Sequence, residues 1–113
     1  VSKHNTYREV YEYDFVDEKP AFPGGDTMLL QYINRTRQYP KRAYRKGIQG
    51  RVTLSFVVNA DGTVSDVAVL RGVEKSLNKE AARVIADMPH WKPGRIDGKP
   101  VPVRVIQTIV FRK

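Results

Sequence analysis

Cysteine is absent from the 113 residues, which excludes disulfides, thiolate metal sites, iron–sulfur clusters and a thiol nucleophile. Long apolar runs are absent as well: none approaches the roughly 18 residues that a membrane-spanning helix needs, and no signal peptide is visible. The opening Val1 suggests a piece of a longer protein, with its targeting segment upstream. Histidine is scarce, and neither His4, in an N-terminal tail, nor His90, beside Trp91 in a loop, has a second ligand at metal spacing. Pro23-Gly24-Gly25-Asp26 lacks the Lys-Ser/Thr ending of a phosphate-binding loop, and its aspartate would repel an anion. No nucleophile elbow or triad is present, and Ser55, Ser65 and Ser76 read as strand and cap positions. A binding module without cofactor or metal is therefore expected, not an enzyme.

Acidic residues are missing from one long stretch. Between residues 27 and 60 there are seven basic side chains (Arg35, Arg37, Lys41, Arg42, Arg45, Lys46, Arg51) and no Asp or Glu. The chain carries +8 overall, but residues 1–26 hold 3 basic and 6 acidic side chains whereas residues 27–113 hold 17 and 6. An acidic tail is thus joined to a strongly basic body. Tyr32, Tyr39 and Tyr44 interleave with the basic residues, the composition of a single-strand nucleic-acid binder. No RNA-binding signature accompanies them, and helical packing accounts for the tyrosines. The charge fits a surface that meets an anionic partner.

The hydrophobic pattern predicts an order of elements. In Tyr7 to Val16 aromatics alternate with Arg8, Glu12 and Asp14, which predicts an N-terminal strand. Asp26 or Thr27 then caps a helix carrying Leu29, Leu30 and Ile33, which must stop before Tyr39-Pro40. Pro40 opens a short second helix through Lys46, with Gly47 as a left-handed stop. Val52, Leu54, Phe56 and Val58 mark a half-buried strand, Asn59-Ala60-Asp61-Gly62 a turn, and Thr63–Leu70 the return strand. A bulge is needed there, because Val67 and Val69 differ in parity from Val64. Ser76 caps a third helix with the stripe Leu77, Ala81, Val84, Ile85, Met88, which Pro89 ends. After a Gly- and Pro-containing loop, residues 101–112 form a C-terminal strand. The fold class expected is α+β: a two-layer sandwich with helices on one face of a three-stranded antiparallel sheet, ordered return strand, first hairpin strand, C-terminal strand, with or without an extra N-terminal strand.

Phe22-Pro23-Gly24-Gly25, Gln38-Tyr39-Pro40, Gly47-Ile48-Gln49-Gly50-Arg51-Val52, Asp61-Gly62-Thr63-Val64, Leu70-Arg71-Gly72-Val73 and Met88-Pro89-His90-Trp91-Lys92-Pro93-Gly94 together resemble the TonB C-terminal domain, in the form found in Bacteroidetes-type energy transducers. Two positions depart from the family: Asn78 stands where Asp is usual, and Gln107-Thr108 where relatives often carry an apolar residue and Pro. The resemblance implies residues 18–113 as the domain and residues 1–17 as the end of a periplasmic spacer or an edge strand. It further implies a periplasmic location, an inner-membrane tether that works with ExbB/ExbD, and binding of the TonB box, a peptide of an outer-membrane transporter. The same domain on a membrane metallopeptidase sensor is the alternative within the resemblance, and a basic nucleic-acid module the alternative outside it.

An exposed strand edge accepts an extended peptide as a further strand. The expected site is Val103, Arg104, Val105, Ile106, Gln107, Thr108, Ile109 and Val110, where the backbone groups of Arg104, Ile106, Thr108 and Val110 face the peptide and those of the odd-numbered residues pair with the hairpin. Pro102, without an N–H, fits the unpaired side. By the resemblance Gln38, Tyr39 and Pro40 match a family segment implicated in contacts with the transporter, with helix punctuation by the proline and packing of the tyrosine as the alternative for Tyr39 and Pro40, while Trp91 reads as a core residue. The acidic, aromatic N-terminal segment is expected to fray, to add to the opposite edge, or to shield the peptide edge of its own domain. The same edge also allows a homodimer by strand exchange.

Overall fold

The computed structural model describes residues 9–113. Three helices and five strands follow the order α1 (Asp26–Thr36), α2 (Lys41–Arg45), β1 (Gly50–Val58), β2 (Val64–Arg71), α3 (Lys75–Ala86), β3 (Gly94–Ile96), β4 (Lys99–Val101) and β5 (Val103–Phe111). The main sheet has the order β2-β1-β5, antiparallel throughout, and the helices cover one face. Under them lie Val52, Leu54, Phe56 and Val58 of β1 and Val105, Ile109 and Phe111 of β5, packed with Leu77, Ala81, Val84 and Ile85 of α3 and with Met88 just after it, all buried. The α+β sandwich and its strand order are those expected from the sequence.

β1 is buried on both faces from Leu54 to Val58, not half-buried as its alternation predicts. Ser55 and Val57 of the outer face are short and sit between Ala68 and Ser65 of β2 and Ile106 and Arg104 of β5. β2 pairs with β1 through two register shifts, one of them opposite Phe56, where Asp66 takes φ 53°. That irregularity is what lets Val64 and Val69 both face β1 residues of the core side.

Several local expectations are corrected. Among residues 9–16 no strand forms: Tyr11 makes a single bridge to Val103, and Tyr13–Phe15 is a 3-10 turn. Tyr11 and Phe15 stack with centroids 5.6 Å apart, and the Phe15 N–H donates to the Glu12 carbonyl. A turn brings these rings together, whereas a strand would keep them apart. Tyr7, with which the predicted strand began, lies outside the described residues, as does His4. In α1 it is Tyr32, not Leu30, that joins Leu29 and Ile33 inside, its hydroxyl donating to the Val84 carbonyl at 2.9 Å. Gly25 holds the cap position before Asp26, and Pro40 stands just outside α2. The stretch between α3 and β5 is a small hairpin, β3 and β4, closed by Asp97 and Gly98 at φ 50° and 77°, the left-handed pair of a tight hairpin turn.

The cap of α3 is Glu74 in place of Ser76. Its Oε1 accepts from the Ser76 hydroxyl (2.5 Å), the Ser76 N–H (3.1 Å) and the Leu77 N–H (3.2 Å). These bonds, the hydroxyl foremost, hold the Glu74 carboxyl below its ordinary 4.5. Burial pushes the Glu80 carboxyl up, but Arg83 and the Gln38 N–H outweigh it and the net shift is downward. A carboxyl lowered in the folded state favours folding fully above its unfolded value and loses that contribution as pH falls through the folded one. The thermal midpoint should therefore drop as pH is taken below the carboxylate range, and Glu74→Gln should lower the midpoint at pH 7 while flattening this acid dependence, measured by circular dichroism melts from pH 7 to pH 3. A Glu74→Gln curve parallel to that of the parent at every pH would exclude the cap as its source.

Candidate functional site

β5 is an edge strand, and its pairing with β1 runs unbroken over nine residues, from Val103↔Val58 to Phe111↔Gly50. Such regular pairing fixes which backbone groups face outward, since successive residues of an antiparallel strand turn to opposite neighbours. At one end the Arg104 N–H donates to the Tyr11 carbonyl (2.9 Å) and the Pro102 carbonyl accepts from the Tyr11 N–H (2.9 Å). At the other, the Val110 carbonyl accepts from Arg37 Nη1 (2.9 Å). Even-numbered residues thus present their backbones outward at both ends, and Ile106 and Thr108 between them follow the same parity. Val103, Val105, Gln107 and Ile109 turn theirs to β1.

Side chains alternate with this pattern. Val103, Val105 and Ile109 are buried toward the helices, while Ile106 is 60% exposed on the open face. Thr108 Oγ1 lies 3.1 Å from Thr53 Oγ1 across the sheet, and the Gln107 amide donates to the Thr108 carbonyl at 3.0 Å. Gln107-Thr108, one of the departures from the family pattern, introduces no break in register. Asn78, the other, accepts the Val73 N–H at 2.9 Å and so ties the end of β2 to α3.

Alongside residues 104–107 runs a groove of about 420 Å³. Leu29 and Trp91 contribute its apolar lining, and Glu12, Tyr13 and Asp14 its far side. Trp91 is buried at 6% exposure, in edge contact with Phe22 and Phe56, and its indole N–H points to Met88 Sδ at 3.4 Å. It is a core residue that also lines the groove. Position 62 holds the Trp91 backbone in place: the Trp91 N–H donates to the Gly62 carbonyl at 2.8 Å, and a Cβ on Gly62 would stand 2.3 Å from the Trp91 carbonyl oxygen.

Gln38, Tyr39 and Pro40 link α1 to α2 at the far end of β5. The Gln38 N–H donates to Glu80 Oε2 (2.7 Å), and Arg83, held by the same carboxylate, donates to the Thr36 carbonyl (3.0 Å). The Tyr39 hydroxyl donates to the Ile48 carbonyl and its ring meets Tyr44 and Phe111 edge-on. The Gln38 side chain is exposed. Neighbouring Arg37 lies over the Phe111 ring while bonding Val110. The 38–40 segment and the β5 edge therefore belong to one side of the molecule. The contribution of Arg37, 73 residues before its partner, has no sequence signal. Of the tyrosines of the basic stretch, Tyr32 is buried, Tyr39 is packed against Phe111, and Tyr44, 47% exposed, carries Lys113 Nζ 4.6 Å from its ring centre.

Comparison with known proteins agrees with this architecture. The family model for the Gram-negative bacterial TonB protein C-terminal matches residues 35–112. Protein TonB of Helicobacter pylori is 39% identical over 62 residues, 54% of this chain and 22% of that protein. Protein TonB of Pseudomonas aeruginosa is 29% identical over 75 residues, 66% of this chain and 22% of its own length. The chain spans about a fifth of the length of these relatives. Among solved structures, the Helicobacter pylori TonB C-terminal domain in solution superposes with a TM-score of 0.58 at 29% identity, covering 80% of this chain and 86% of that one. The corresponding Pseudomonas aeruginosa domain gives 0.57 at 28% identity, covering 68% and 78%. The nine-residue edge strand, the helices behind it and the match over residues 35–112 together make this chain a member of the TonB C-terminal domain family.

Proposed function

We propose that the domain is the receptor-facing end of a TonB-type energy transducer and takes the TonB box of an outer-membrane TonB-dependent transporter as an added strand along β5. The observation that carries this reading is the unbroken register of β5, whose even-numbered backbone groups turn outward beside a groove in which Leu29 and Trp91 lie among charged side chains. Main-chain bonds along such an edge supply affinity, and the groove selects the alternate side chains of the incoming strand. Strand pairing also suits transmission of work, because a pull along the strand loads several hydrogen bonds together. Gln38, Tyr39 and Pro40 add a second contact with the transporter. In this reading residues 18–113 act in the periplasm, residues 1–17 end the spacer, and a segment upstream anchors the protein in the inner membrane beside the proton-driven ExbB/ExbD motor. No catalysis, metal or cofactor is required.

Titration calorimetry with synthetic TonB-box peptides from candidate transporters, combined with amide exchange, tests the proposal. Micromolar binding that protects the Ile106 and Thr108 amides is expected. Absence of heat with every peptide well above micromolar concentration, or protection confined to β2, would overturn it.

A further inference from the structure

The outer side of β5 is already occupied at its beginning by the chain itself. Tyr11 lies parallel to Val103, its N–H donating to the Pro102 carbonyl and its carbonyl accepting the Arg104 N–H, both at 2.9 Å. Glu12 Oε2 stands 3.8 Å from Arg104 Nε. Directly afterwards the Phe15 N–H folds back on the Glu12 carbonyl and the chain leaves the edge. Hence the contact covers Pro102 to Arg104 and ends before Ile106. These are the main-chain bonds an added strand would make there, formed by one residue.

From this we infer that residues 9–15 act as a competing strap, which holds the first rung of the peptide edge and gives it up when a peptide strand arrives. The inference rests on the reading of β5 as a peptide-binding edge. Two features favour exchange over permanent cover. The strap is lightly held: among the described residues two backbone bonds and an exposed ion pair tie it to β5, Lys19 Nζ reaches the Asp14 carbonyl at 3.4 Å and lies 5.7 Å from the Tyr13 ring centre, and Tyr13 and Phe15 are 41% and 66% exposed, so little of their apolar area is lost on release. It is also hinged at a firm point, because Val16 is buried and the amides of Asp17 and Glu18 bond the Arg95 carbonyl, with Ala21 and Lys92 paired beyond them. Residues 9–15 can therefore swing out without disturbing the core. Their departure would also remove Glu12, Tyr13 and Asp14 from one side of the groove and open it along residues 104–107.

The test uses two variants of the 113-residue chain. Tyr11→Pro removes the N–H that the Pro102 carbonyl accepts, and Glu12→Lys reverses the charge facing Arg104. Exchange of the Arg104 amide in the free protein should quicken in both, and a synthetic TonB-box peptide should bind Tyr11→Pro about tenfold more tightly than the parent, as expected when a competitor holding two main-chain bonds is lifted. Glu12→Lys should shift affinity the same way by a smaller factor. Equal or weaker peptide binding by both variants, or an Arg104 amide unaffected by Tyr11→Pro, overturns the strap while leaving β5 as the binding edge. A peptide that binds neither the parent nor the variants overturns the edge assignment, and the strap with it.

Discussion

Replacing Gly62 by alanine is expected to lower the free energy of unfolding by about 4 kcal/mol, the sum of left-handed backbone strain and a broken buried contact. Gly62 has φ 89°, and an added Cβ would fall 2.3 Å from the Trp91 carbonyl oxygen, a backbone atom that no rotamer change can move aside. Relief requires the β1–β2 turn and residues 90–92 to separate, which breaks the bond from the Trp91 N–H to the Gly62 carbonyl. The indole would then shift against Phe22 and Phe56. Gly98→Ala is the control, since Gly98 has φ 77° but open space at its Cβ position, so about 1 kcal/mol is expected from backbone strain alone. Urea denaturation followed by tryptophan fluorescence measures both. Similar losses for the two variants would mean that close approach at Trp91 contributes nothing.

Proline at two adjacent positions of β5 should give opposite outcomes. Ile106 turns its N–H outward and is largely exposed, so Ile106→Pro removes a donor that no β1 group uses. The fold should survive, while affinity for a TonB-box peptide falls by at least about tenfold, because the ring both deletes a main-chain bond and blocks close approach. Val105 pairs opposite Phe56 and is buried, so Val105→Pro breaks the ladder inside the sheet and should leave the domain unfolded at 37 °C. Circular dichroism reports the fold and calorimetry the binding. An Ile106→Pro protein that unfolds while Val105→Pro folds would reverse the assigned parity.

Much of this arrangement is legible in the amino-acid order, and the losses have physical causes. The stripe from Leu77 to Met88 and the alternation of β1 are signals that a neighbour in sequence can state, and both elements form where the pattern puts them. The parity conflict of Val64 against Val67 and Val69 announces the irregularity in β2. Capping is less legible: Glu74 and Ser76 are both competent, and the longer side chain from the earlier position wins by reaching two amides and the serine hydroxyl. Tyr32 is preferred over Leu30 because the Val84 carbonyl, 52 residues away, receives its hydroxyl. The aromatic alternation of Tyr11, Tyr13 and Phe15 imitates a strand, yet a stacked Tyr11–Phe15 pair and Lys19 donating to the Val16 carbonyl hold a turn there instead. For the edge itself, composition shows β propensity and Pro102 marks its start. The side chains that close carbonyls along it, Arg37 on Val110 and Gln107 on Thr108, depend on tertiary proximity or on a single rotamer and leave no periodic trace.

The two borders of the sheet are unlike. β2 is twice displaced in register and turned by a left-handed Asp66, whereas β5 pairs with β1 without a shift over nine residues. A filament of stacked sheets needs each molecule to offer two compatible borders, one for the copy ahead and one for the copy behind. Two copies meeting β5 to β5 would be related by a twofold axis and would use up the border of regular register in each main sheet. Growth by that contact would stop at the pair, and the register shifts of β2 make the other border a poor template for a further copy.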